Sequence, residues 1–128
     1  MIVGIGCDLA SVARWEDADL RERLMRRFFT TEEADYVRSR GHAAPQSAAG
    51  IFAAKEAFAK ALGTGFSGIP PADIGITHTP HGAPIYAPLG QAAEALVQSG
   101  ADKSHLSITH DGTMAMAFCV LEKKGENR

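Results

Sequence analysis

Cysteine is scarce. The 128-residue chain has two, Cys7 and Cys119, both inside apolar segments and without the close spacing that metal-binding cysteines need. They are expected to be reduced core residues, not part of a disulfide framework. Long apolar runs are missing too: the longest, positions 114–121, is far too short to cross a bilayer. The first residues, Met1-Ile2-Val3-Gly4, lack the basic stretch and apolar core of a secretory signal. A cytoplasmic protein without membrane contact is expected. Neither sign of charge dominates, with a formal net charge of −2, and aromatic residues make up only 7% of the chain. Both disfavour nucleic-acid binding, which needs a basic surface and stacking platforms. No repeat, low-complexity tract or linker divides the sequence, so residues 1–128 are expected to fold as one domain.

What charge there is lies unevenly. Seven of the eight arginines fall between Arg14 and Arg40, four of them in the stretch 21–27, while all five lysines come later. Such a concentration in a mildly acidic chain points to a specific acidic partner. The alternative is a solvated helix face balanced by Glu16, Asp17, Asp19 and Glu22.

Residues 2–7 read as a short buried strand, with Gly4 and Gly6 allowing close backbone approach. Ser11 is the expected cap of a helix reaching about Phe28, and Thr30 with Glu33 predicts a capping box for a short helix over 32–38. Positions 41–45 read as a loop. The alanine-rich, proline-free stretch 46–62, closed by Gly63, is the clearest helix, and an irregular glycine-rich loop follows to Pro71. Strands are expected over 73–79 and 83–87, an amphipathic helix over 89–99, and a hairpin of 105–109 with 114–121 around Asp111-Gly112. The last strand is apolar on both faces and should be central and buried. The fold class is therefore α+β, with one long helix packed on a small antiparallel sheet.

Three polar groups interrupt this apolar pattern. Asp8 closes the first strand, as a turn residue or as a carboxylate projecting from the sheet edge. Glu56 and Lys60 lie one turn apart on a helix whose other neighbours, Phe52, Ala53, Ala57, Phe58, Ala61 and Leu62, are apolar or small. An exposed ion pair would stabilise by about 0.2–0.5 kcal/mol. A helix so apolar should be largely buried, however, and its charges need a reason. A carboxylate ligand for a hard cation, with a lysine nearby for phosphate, is one. The loop after the helix, with Gly63 and Gly65, offers backbone N–H groups that could approach an anion. In the strand 105–109, Ser107 and Thr109 share one face with His105, and His110 stands at the strand end within reach of a ligand.

In this order the pieces resemble the holo-acyl-carrier-protein synthase family of 4′-phosphopantetheinyl transferases. The resemblance rests on Gly4-Ile5-Gly6-Cys7-Asp8-Leu9 with Arg14 downstream, on the stretch 52–65 containing Lys55-Glu56-Ala57 and Lys60, and on His105-Leu106-Ser107-Ile108-Thr109-His110. It implies a transferase moving the phosphopantetheine arm of coenzyme A onto a serine of apo-acyl carrier protein, releasing adenosine 3′,5′-bisphosphate. Asp8 and Glu56 would ligate Mg²⁺, or alternatively Mn²⁺. Lys60 would add positive charge at the transferring phosphate. His110 would contact the coenzyme A phosphates, with Ser107 and Thr109 supporting the pocket wall. The base for the serine is either a metal-held water or Glu56. Arg14, Arg21, Arg23 and Arg27, with Leu24 and Met25 as apolar contacts, would face the acidic carrier protein. The resemblance also implies a homotrimer whose site lies between neighbouring subunits.

Two positions depart from the family's pattern. Ile51 stands where an arginine is common before the phenylalanine of the middle motif, and Gly82-Ala83-Pro84 replaces a common Gly-Lys-Pro turn. Both remove positive charge and leave the carboxylate pair intact. A catalytically silent coenzyme A or carrier-protein binding module is the competing reading, and these two losses are its support.

Overall fold

Strand β1 covers Ile2–Ser11 in a computed structural model that describes residues 1–125. It runs four residues further than expected, because its partner strand β5, Met114–Glu122, continues to pair with it as far as Ser11 opposite Met114. Ser11 is thus a strand residue and not a helix cap. A single 3₁₀ turn over Ala13–Trp15 follows, and helix α1 starts only at Ala18, running to Phe28. Its cap is Asp17, whose carboxylate accepts the Leu20 N–H at 2.9 Å. Helix α2, Thr31–Arg38, opens on the expected capping box. The Glu33 N–H donates to Thr30 Oγ1 and the Thr30 N–H donates back to Glu33 Oε1.

Helix α3 spans Ala44–Leu62 and takes in residues read as loop from the sequence. Pro45 lies in its first turn, where a missing N–H leaves no helical hydrogen bond unmade. Gly63, at φ 78°, ends it in the left-handed conformation. Strands β2, Ile74–His78, and β3, Pro84–Pro88, form a separate two-stranded sheet, followed by helix α4, Gly90–Gln98. Strand β4, Lys103–Asp111, turns at Gly112 into β5, and the main sheet has the order β1-β5-β4 with β5 central, as expected.

Alternation sorts this sheet into two faces. Asp8, Ala117 and Ile108 stand abreast on the face covered by α3, as do Ala10, Ala115 and His110. On the outer face stand Cys7, Phe118 and Ser107, then Leu9, Met116 and Thr109. The burial expected for β5 therefore holds for one face only. Ala115, Ala117, Cys119 and Leu121 are buried, whereas Met114, Met116 and Phe118 are exposed in the single chain. The two cysteines divide the same way: Cys119 is core, and Cys7, expected to be core, is exposed because its strand neighbours Gly6 and Asp8 take the inner side.

α3 and β1 approach very closely. A Cβ on Gly4 would run into the carbonyl oxygen of Ala61, and one on Gly6 into that of Ala57. On the far side of α3, Lys55 is wholly buried, its Nζ 2.8 Å from Glu33 Oε1 and donating to the Pro71 and Ile74 carbonyls at 2.9 Å each. Glu33 Oε2 in turn accepts the Ile76 N–H at 2.8 Å. This network ties α2, α3 and β2 together with every charged atom partnered, which is what burial of charge requires. Burial draws the Lys55 ammonium below its ordinary range, opposed by the Glu33 carboxylate.

Candidate active site

Asp8 projects from β1 toward α3, with 16% of its side chain exposed, and meets Lys60 there. The Lys60 ammonium is 2.9 Å from Asp8 Oδ1 and donates also to the Cys7 carbonyl at 3.1 Å. Lys60 therefore pairs across to the strand, not along the helix with Glu56. Hydrogen bonding to Asp8 is the main reason its pKa rises. Glu56, one turn before Lys60, makes no ion pair among the described residues. Partial burial lifts its carboxyl above the usual range, the Asp8 charge lifts it further, and Lys60 and Arg14 pull it back. Two carboxylates from different elements thus stand near one ammonium, which pairs with Asp8 and leaves Glu56 without an ion pair. That donor set suits a hard cation. No group of three or more His, Cys, Asp or Glu is placed to hold a metal among the described residues, so a cation held here keeps most of its positions for water and ligand oxygens, as Mg²⁺ prefers.

His110 lies elsewhere. With Ile51, Ser47, Tyr36, Arg40 and His78 it lines a cavity of about 180 Å³ at the β4 edge of the sheet. Ile51 and Glu56 are five residues apart on α3, which places them about 140° apart around the helix. The carboxylate cluster and the His110 cavity therefore face opposite edges of the same sheet. Ser107 and Thr109 join neither, since both stand on the outer face. Gly63 and Gly65 are corrected in role. Their N–H groups close the helix, donating to Lys60 O at 2.9 Å and Ala59 O at 3.2 Å, and so are not open to an anion.

The basic helix is partly as expected. Arg14, Arg23 and Arg27 are exposed and Leu24 is half-buried. Arg21 is tied to the chain itself, donating to the Trp15 carbonyl at 2.8 Å. Met25 does not offer a contact: it is 1% exposed, because a helix beginning at Ala18 turns it into the core. In its place stands a cluster that the sequence reading missed. Phe52 lies one turn before Glu56 on the same flank of α3, its ring 5.4 Å from Phe28 and 6.4 Å from Phe66, all three half-buried. The Arg14 guanidinium sits 5.6 Å from the Phe52 ring centroid and that of Arg27 5.2 Å from the Phe28 ring centroid. The available signal was the helical spacing of Phe52 and Glu56. Nothing local marked Arg40, Tyr36 or His78, which come from separate segments.

A two-carboxylate, one-lysine cluster beside a cation-rimmed aromatic patch offers oxygen ligands to a hard cation and positive charge to a phosphate. The family model of the 4′-phosphopantetheinyl transferase superfamily matches residues 4–119, and the chain belongs to that superfamily. A holo-[acyl-carrier-protein] synthase of Treponema denticola is 43% identical over 122 residues, covering 95% of this chain and 99% of the relative. Among solved structures, the holo-[acyl-carrier-protein] synthase of Neisseria meningitidis superposes with a TM-score of 0.85 at 33% identity, covering 96% of this chain and all of that one. The Bacillus anthracis holo-(acyl-carrier-protein) synthase, in complex with CoA (3′,5′-ADP), gives 0.79 at 33% identity, over 97% and 99% of the two chains.

Proposed function

We propose that this chain is a holo-acyl-carrier-protein synthase, transferring 4′-phosphopantetheine from coenzyme A to a serine of apo-acyl carrier protein. The observation that carries this reading is the meeting of Asp8, Glu56 and Lys60 in a chain of this superfamily. The serine hydroxyl gives its proton to a base, Glu56 or a water, as its oxygen bonds to the phosphorus next to the pantetheine; the bridging P–O bond of the diphosphate breaks, and adenosine 3′,5′-bisphosphate leaves. Asp8 and Glu56 would hold Mg²⁺, or Mn²⁺, which would supply positive charge to offset that growing on the leaving group. Lys60, half-exposed and anchored by Asp8, places a fixed positive charge beside the transferring phosphate. The carrier protein docks on Arg14, Arg23 and Arg27 around the Phe28, Phe52 and Phe66 patch, next to Glu56. The two unpaired thiols suit the cytoplasm, and no helix among the described residues is long and apolar enough to cross a membrane.

The working unit is a homotrimer. Two features support it: the outer sheet face exposes Ile5, Leu9, Met114, Met116 and Phe118, and the two parts of the site lie on opposite flanks of α3. One subunit supplies Asp8, Glu56 and Lys60, and its neighbour supplies the His110 cavity.

Incubation with apo-acyl carrier protein, coenzyme A and Mg²⁺ is expected to give a phosphopantetheine adduct by mass spectrometry. No adduct on several carrier proteins refutes the reading. Since disturbing even the partners of a metal ligand costs about 10–100-fold, Glu56→Gln should lower transfer at least about 100-fold. For the shared site, mixing inactive Glu56→Gln and His110→Ala subunits should restore activity. No recovery from subunits that exchange, or a monomeric mass in an active preparation, counts against it.

A further inference from the structure

Arg21 stands apart from the other arginines of α1. It lies one turn before the buried Met25, on the side of the helix turned to the core. Arg23, Arg26 and Arg27 are exposed, whereas Arg21 is half-buried. It makes no ion pair among the described residues. Instead its Nη1 donates to two backbone carbonyls, those of Trp15 at 2.8 Å and Glu16 at 3.3 Å. Both carbonyls lie ahead of α1, which begins at Ala18, and neither accepts a backbone N–H among the described residues. The guanidinium takes the place of the helical N–H groups that the chain does not provide there.

The segment held in this way carries Arg14. It is a 3₁₀ turn of three residues, Ala13–Trp15, closed by two backbone bonds: the Trp15 N–H donates to the Val12 carbonyl at 2.9 Å and the Glu16 N–H to that of Ala13 at 3.2 Å. So short a turn has little rigidity of its own. Two contacts fix it. On one side the buried Trp15 ring stacks on Phe29 at 5.4 Å and packs against Phe52 at 5.7 Å. On the other, Arg21 holds the carbonyls. Between these two anchors Arg14 reaches over the Phe52 ring, one helical turn from Glu56. A charge fixed before its partner arrives loses less freedom on docking than one that must be ordered then.

We infer that Arg21 is a positioning residue for carrier-protein docking: it holds the 13–15 turn so that Arg14 meets the acidic partner over Phe52, and its own charge does not face that partner. The inference rests on the docking surface proposed above. Close charge pairs across an interface correspond to about tenfold or more in affinity, so Arg14→Ala should raise the KM for apo-acyl carrier protein about tenfold. Arg21→Met keeps the stem and removes the donors. It should raise the same KM about 3- to 10-fold, while kcat at saturating carrier protein and the KM for coenzyme A stay within about twofold. A loss of folded protein alone would instead lower kcat and leave both KM values unchanged. The deciding measurement is the double variant. Residues that act through one another are not additive, so in an Arg14→Ala background Arg21→Met should change the carrier-protein KM less than about twofold. The same several-fold loss in both backgrounds overturns the inference, because Arg21 would then present its charge to the partner directly. An unchanged carrier-protein KM in Arg21→Met overturns it as well. Calorimetry of the wild-type protein with apo-acyl carrier protein separates this inference from the reading beneath it. No binding refutes the docking surface, whereas binding with additive losses in the two variants refutes the role of Arg21 alone.

Discussion

Two lysines five residues apart on α3 sit in opposite situations. Lys55 is fully buried and, with Glu33, belongs to a network in which each charged atom has its partner. Lys60 is 52% exposed, shares Asp8 with solvent, and stands beside a second carboxylate, Glu56, that makes no ion pair of its own among the described residues. Both lie on one helix and both meet a carboxylate from another element at similar distance. The difference lies in completeness. A closed network stabilises the fold and has no capacity for a ligand. An incomplete one holds charge out of balance, and a cation or phosphate can restore that balance.

The sharpest way to break this contrast is to remove each ammonium. Lys55→Met leaves Glu33 buried and unpaired, which costs about 3–5 kcal/mol. Denaturant unfolding should show a large part of the stability of a domain this size gone, with Glu33→Gln added to Lys55→Met recovering part of it. If Lys55→Met is as stable as wild type, the network is not structural. Lys60→Met should act in the other direction. Its exposed pair contributes at most about 1 kcal/mol to stability, whereas transfer should fall about 10²- to 10³-fold, the typical loss when one group that stabilises transition-state charge is removed. Equal losses of stability in the two variants would erase the distinction.

The smallest effect tests the charge imbalance itself. A carboxyl whose folded pKa is raised contributes stability that is fully present below about pH 4.5, the ordinary value, and lost as pH rises through the folded one. Charging Glu56 therefore opposes folding at neutral pH. Without metal, Glu56→Gln should melt slightly higher than wild type at pH 7, and the difference should vanish below pH 4.5. Added Mg²⁺ should raise the melting temperature of wild type alone. A lower melting temperature for the metal-free variant contradicts the upward shift at Glu56.

Local chemistry was legible in the sequence. The Thr30–Glu33 capping box needs four consecutive residues, and the composition of α3 with Gly63 after it marks a helix and its end. Asp8, Glu56 and Lys60 could be nominated because their neighbours are glycine, alanine and phenylalanine, among which a charge stands out. What depended on distant partners was not legible. Ser11 and Asp17 are both good caps, and the choice was made by β5, which pairs Ser11 with a residue over a hundred positions away. Met25 followed that choice into the core. Lys55 and Lys60 look alike on paper, and only the arrival of Glu33 from α2 separates them. The His110 cavity assembles from four segments, none of which carries it alone.

The bare backbone of β1 at Gly4 and Gly6 has a consequence for reach. An aspartate has a single methylene between its backbone and its carboxyl group, so Asp8 meets Lys60 only if strand and helix lie almost in touch. The two hydrogens that stand where side chains would be act as a depth gauge for the cluster of Asp8, Glu56 and Lys60, set one and two strand repeats away from Asp8. A methyl group at Gly6 would push against the Ala57 carbonyl one residue beyond Glu56. It would lift the helix and draw the carboxylates apart without altering any group that carries charge.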